Sequence, residues 1–162
     1  MKKFLLLFAL FFFMTRGTNA AEEIKISDPP RSEHTGCIRV HVKELKKVEG
    51  LLGVSLYNSK KGFPEEHDQA YANRIKKITA TEEDVVFDNL PWGQYAISIM
   101  HDENSNGKLD KKSFIIFAIP KEGVGVSNNP KIGKGGPKYD DSVFTLNTSE
   151  LDVNIAMKYL FQ

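Results

Sequence analysis

Oxygen-bearing side chains recur at Asp102, Asn104, Asn106 and Asp110, and a glycine, Gly107, stands where a tight loop must turn. This D-x-N-x-N-G-x-x-D pattern is the spacing by which one short loop wraps a hard cation. With Asp102 at position one, Asn104 and Asn106 fall at three and five, and Lys108 offers its main-chain carbonyl at seven. Asp110 falls at nine, and Leu109 is the apolar residue that anchors such a loop to a core. The twelfth position of a calcium loop carries a bidentate glutamate, but Ser113 stands there, so a carboxylate must arrive from elsewhere. Glu122, Asp140 and Asp141 are the candidates, and the expected ligand set is Asp102, Asn104, Asn106, Lys108, Asp110 and Glu122. Amide and carbonyl ligands suit Ca2+ better than Mg2+, and so few carboxylates predict weak binding, on the order of 10⁻⁴–10⁻³ M. The same residue types also build ion-free turns, since Asn, Asp, Ser and Gly are ordinary turn formers.

Other chemistry is sparse. His101 adjoins Asp102, but His34, His41 and His67 are scattered, and no two histidines share a metal-ligand spacing. There is no G-x-S-x-G elbow, phosphate-cradling loop or C-x-x-C pair. Ser127, before Asn128 and Asn129, has no evident base beside it. A hydrolase would have to be assembled from Asp102 or Asp110 with Glu122, using His101 as proton carrier. Cys37 is the only cysteine, so no internal disulfide can form, and it lies in a strand-like run as a small apolar residue.

The elements that must position the loop are strands. Lys2 and Lys3, the apolar run Phe4 to Met14, and the small residues around Ala20 make residues 1–20 a secretory signal peptide. Its loss removes three basic residues and no acids, which leaves 19 basic against 21 acidic residues. That balance suggests neither nucleic acid nor an anionic membrane as a partner. Residues 21–35, with Pro29-Pro30, read as a flexible N-terminal arm, and 36–160 as one domain. Period-two alternation marks strands at Ile38 to Val42, Leu52 to Leu56 and Leu151 to Met157. Arg74 to Thr79 reads as a lysine-protected edge strand. Gln94 to His101 is the best strand, with Tyr95, Ile97 and Ile99 on one face, and the loop follows it directly. Phe114 to Ile119 reads as a buried strand and Pro120 to Lys138 as the largest loop. No long amphipathic helix is visible. Seven to eight short strands between turn signals predict an all-β fold: a single β-sandwich of transthyretin-like or immunoglobulin-like type.

Several of these segments together resemble a known family. His101 to Asp110, Ile119 to Asn129 (IPKEGVGVSNN), Phe87 to Tyr95 (FDNLPWGQY), Tyr57 to Pro64 and Pro137 to Phe144 are similar to the bacterial family of unknown function DUF2141. The resemblance runs from about Gly36 to Tyr159 and implies a small exported protein of Gram-negative bacteria with no assigned activity. Phe117-Ala118, Val124 and Val126 depart from the family pattern, which has Leu-Gly at the first pair and aromatics at the valines. The expected protein is therefore a periplasmic or secreted, non-enzymatic module. Its Ca2+ loop, Lys121 to Asn129 and Tyr139 to Asp141 would form one polar rim against a protein or glycan partner of the cell envelope, with no membrane contact after signal cleavage. Phe63, Trp92 and Tyr139 are the expected contact residues. The envelope hydrolase and a purely structural domain stand as the alternatives.

Overall fold

The computed structural model describes residues 34–113, 118–131 and 135–160; residues 1–20, read above as a signal peptide, nearly all of the expected arm and residues 114–117 of the apolar run lie outside them. The described chain is built from strands β1 (Thr35–Lys43), β2 (Leu51–Tyr57), β3 (Ala72–Lys77), β4 (Glu83–Pro91) and β5 (Gly93–Asp102), followed by β6 (Lys111–Ser113), β7 (Ala118–Pro120), β8 (Gly123–Val126), β9 (Phe144–Leu146) and β10 (Glu150–Ala156). One helical turn, α1 (Tyr139–Ser142), precedes β9. A three-stranded sheet, β10-β1-β4, faces a five-stranded sheet, β3-β2-β5-β8, in which β9 also pairs with β5; β6 and β7 form a separate ribbon. Eight strands thus make the two larger sheets, in agreement with the all-β sandwich read from the sequence.

Alternation decides what enters the core. Ile38, Val40 and Val42 of β1 meet Leu52, Val54 and Leu56 of β2 and Ile97 and Ile99 of β5, all essentially buried. Phe87, Leu146, Ile155 and Met157 complete the core. At about 25 cal/mol per Å² of apolar surface buried, this is the dominant favourable term for the fold. The β1–β10 pair is parallel, so the last strand closes onto the first. No helix among the described residues is long and apolar enough to cross a membrane.

Two sequence readings change. The stretch Pro120 to Lys138 is not all loop, because Gly123–Val126 pairs with β5 as β8. Glycine is depleted in strands, which hid it, but here the glycines are required. A Cβ on Gly123 would lie 2.7 Å from the Tyr159 ring, and one on Gly125 would lie 2.9 Å from Ile155. Of the apolar run Phe114 to Ile119, the described residues Ala118 and Ile119 lie in the small ribbon, exposed and half-buried, not in a buried strand. The Ser127 to Asn129 segment is a set of hydrogen-bonded pins. Ser127 Oγ accepts from Ile97 N (2.9 Å) and donates to Ser142 O. Asn129 donates to Asn154 O (3.0 Å) and accepts from Ala156 N (2.8 Å), holding β10 in place.

β3 is the expected charged edge strand, and an acid seals its junction with β4. Glu83 is buried. It pairs with Lys76 (2.6 Å) and accepts from Thr79 N (2.5 Å), Thr79 Oγ1 (2.9 Å) and Ala80 N (3.0 Å). Burial pushes its carboxyl upward, but Lys76 and the three other donors outweigh that and hold it at about 2. A lowered folded pKa contributes stability that is complete above the ordinary value of 4.5 and is lost as the pH falls towards 2. Between those pH values the wild type is expected to lose about 2–3 kcal/mol more stability than Glu83→Gln. Urea unfolding at stepped pH checks this, and parallel curves for the two proteins would contradict it.

Candidate functional site

The loop leaves the C-terminal end of β5 and is closed by its own side chains. Asp102, almost fully buried, takes Asn106 N (3.0 Å) on Oδ1 and Gly107 N (2.7 Å) on Oδ2. Asn104 Oδ1 accepts from Asn106 N (3.0 Å), and Asn106 Oδ1 accepts from Lys108 N (2.8 Å). These are Asx turns, and they place Ser105 and Gly107 at positive φ. Both amide groups point at Asp110, Asn104 Nδ2 at 2.8 Å and Asn106 Nδ2 at 3.4 Å. The four oxygen-bearing side chains expected to act together are therefore in one bonded cluster.

Glu122 also reaches the loop. It is 4% exposed and buckles the two ends of the loop together, accepting from Glu103 N (3.0 Å) through Oε1 and from Asp110 N (2.8 Å) through Oε2. Asp110 O in turn accepts from Lys121 N (2.8 Å). Asp140 and Asp141 do not join them. α1 carries both, Tyr139 packs on Phe63 and Phe63 on Tyr57. Tyr57 lies opposite Ala96, six residues back along β5 from Asp102, or about 20 Å at strand spacing. Asp140 pairs instead with Lys60 (2.8 Å). The single polar rim expected from the sequence is thus split between two ends of the sheet. Trp92, in the turn opening β5 and stacked on His34, is also at the far end from the loop.

His101 is fully buried below the loop. Its Nε2 lies 2.9 Å from Glu49 O, which can only accept, so the ring proton sits on Nε2. Nδ1 then accepts from the Tyr159 hydroxyl (2.8 Å), which itself accepts from Lys46 N (3.0 Å). Burial pushes the Tyr159 hydroxyl above its ordinary pKa, partly offset by the Lys46 N–H. Both ring nitrogens are engaged away from the loop carboxylates, so the proton-carrier part of the hydrolase reading is taken by structural bonds. Among the described residues no three His, Cys, Asp or Glu side chains converge to hold a metal. The donors in the loop are oxygens only, which suits a hard cation in type. To present the Asn104 and Asn106 oxygens to one, each amide must turn over, because Asp110 now holds their N–H groups.

Sequence reasoning missed a second feature beside the loop. β5 is buried on both faces: Ala96 and Ser98 are as covered as Ile97 and Ile99. Paired residues share a face, so Gly53, Met100 and Val124 form one outward row, and Ser55, Ser98 and Val126 form the next. Over this floor lies a cleft of about 1100 Å³. Pro64, Glu65 and His67 line it from the β2–β3 connection, and Gly107, Lys108 and Leu109 line it from the loop. Lys111 pairs with Glu65 across these segments. No spacing rule joins these residues, since the floor comes from β5 and β8 and the walls from separate connections.

On the opposite sheet, His41 bridges β4 and β10. Its Nδ1 lies 2.7 Å from Asp84 and its Nε2 lies 3.0 Å from Asp152. The hydrogen bonds to Asp152 and then Asp84 raise its pKa.

A family model described as an uncharacterized protein conserved in bacteria (DUF2141) matches residues 40–154. No curated protein and no solved structure matches the chain.

Proposed function

Since the chain belongs to the DUF2141 family, a family without an assigned activity, we propose that it is an exported, non-enzymatic binding module of the bacterial envelope. Its strand-end loop is set by Ca2+ and contacts a protein or glycan partner. The observation that carries this reading is the Asp110 carboxylate at the centre of the loop, which gathers two amide N–H donors from Asn104 and Asn106. A cation can take the place of those donors when the amides turn their oxygens inward. Asp102, Asn104, Asn106, Asp110 and the Lys108 carbonyl would then hold it. Glu122 would serve as the buckle that fixes the loop ends or, by shifting one oxygen, as the further ligand. The bound ion would supply positive charge that locks the loop and lowers the entropy cost of presenting it.

Thermal unfolding tests the reading. With affinity on the order of 10⁻⁴–10⁻³ M, 10 mM Ca2+ stabilises the folded state by about 1.4–2.7 kcal/mol, which is a midpoint rise of roughly 4–10 °C over EDTA. Asp102→Ala lowers the EDTA midpoint because it frees two N–H groups, so the deciding quantity is the calcium increment, which is expected to vanish in that variant. An identical wild-type midpoint in Ca2+ and EDTA overturns the ion site.

A further inference from the structure

We propose that the cleft on the outer face of the five-stranded sheet binds a carboxylate with an extended apolar body, of the medium-chain fatty-acid class. Its volume, about 1100 Å³, lies just above the roughly 300–1,000 Å³ usual for a small-molecule site, so a ligand of this class leaves part of it to water. Met100 and Val124 stand side by side on the floor. Ile119 and Leu160 line the same cleft, and Leu160 is a large apolar side chain left 44% exposed. These residues offer an apolar chain a continuous surface.

The polar groups select the head. Ser98 is 7% exposed, lines the cleft and has no hydrogen-bond partner for its hydroxyl among the described residues. That hydroxyl is uncommitted among the described residues, so it can donate to an oxygen brought by a ligand. His67 lines the cleft beside it. Its Nδ1 lies 2.9 Å from Ser55 Oγ, and Ser55 is directly opposite Ser98, where side chains are about 5 Å apart. Ser55 also neighbours the Tyr57 hydroxyl, so it stands between Tyr57 and the His67 ring. The Ser98 O–H, with the His67 ring close by, is therefore a donor available to one acceptor in the cleft. Of the two lysines lining the cleft, Lys111 is neutralised by Glu65, whereas no acid among the described residues pairs with Lys108. The surplus positive charge favours a carboxylate over a neutral head group.

The inference does not depend on an ion in the loop, so the test is run in EDTA with the full mature chain. Decanoate and decanol are titrated into the wild type, Ser98→Ala, Lys108→Ala and Val124→Phe by calorimetry, with circular dichroism confirming that each variant is folded. Decanoate is expected to bind about ten-fold more tightly than decanol. Ser98→Ala is expected to weaken decanoate about five- to ten-fold and decanol by less, and Lys108→Ala to weaken decanoate about three-fold at low salt. Val124→Phe, which fills the floor, should weaken both ligands. Absence of decanoate binding to folded wild type overturns the site. Equal affinity for the acid and the alcohol overturns the anionic head, and undiminished decanoate binding by Ser98→Ala overturns its placement.

Discussion

Gly50→Ala is expected to destabilise the protein by about 3–5 kcal/mol, a large part of the 5–15 kcal/mol that holds a typical domain together. Gly50 has φ +74°, and a Cβ there would lie 2.2 Å from Asp102 O, 2.8 Å from Glu103 Cα and 2.9 Å from Glu103 O. All three atoms are backbone, so no side chain can swing aside. Holding an L-residue in the left-handed region costs about 1–2 kcal/mol, and overpacking adds about 1–3 kcal/mol or more. The damage falls where β2 begins against the end of β5, so the 102–110 loop should lose its support as well. Gly107→Ala is the matched control. Its φ is +76°, but nothing lies within 4 Å of the added Cβ, and only the conformational cost of about 1–2 kcal/mol is expected. Urea unfolding of the two variants should separate them by at least about 1 kcal/mol. Equal losses would mean that the contact between Gly50 and Asp102 does not constrain the fold.

Glu122→Ala is expected to cost about 3 kcal/mol and to loosen the loop selectively. Each carboxylate oxygen holds one backbone N–H, at Glu103 and at Asp110. A hydrogen bond to a charged group contributes about 1.5–3 kcal/mol, and its loss leaves the donor unsatisfied. Glu122→Gln keeps one acceptor oxygen and should recover roughly half of that loss. Hydrogen exchange provides the specific readout. The amides of Glu103, Asn106, Gly107 and Asp110 should exchange faster in Glu122→Ala, while those of β1 and β2 change only in proportion to global stability. Uniform acceleration over all amides would show that Glu122 supports the sandwich generally and not the loop.

The same two pairs of residues mark what could be read before the structure. The offsets of Asp102, Asn104, Asn106 and Asp110 are local, so the loop was visible as a unit, and Gly107 declared its turn. The steric role of Gly50 depends on Asp102, a partner 52 positions away. Glu122 was one of three acids that the sequence offered to the loop, and the one in the expected ligand set. Pairing of β8 with β5 brought Glu122 to it, whereas the chain's return through α1 and β9 carried Asp140 and Asp141 to the other end of β5. His101 looked like a candidate proton carrier until its partners, Glu49 O and Tyr159, were in place.

The sequence by itself determined the all-β class, the order of the principal strands and the strand-end loop, because side-chain alternation and turn chemistry act over a few residues. Tertiary structure alone decided that β5 is covered on both faces, that Gly123 and Gly125 lie in a strand, and that His67 and Ser98 line one cleft. Those facts depend on which distant segments pack together. Packing is set by the summed burial of the whole core and by strand register, and neither leaves a signature in the spacing of any single segment.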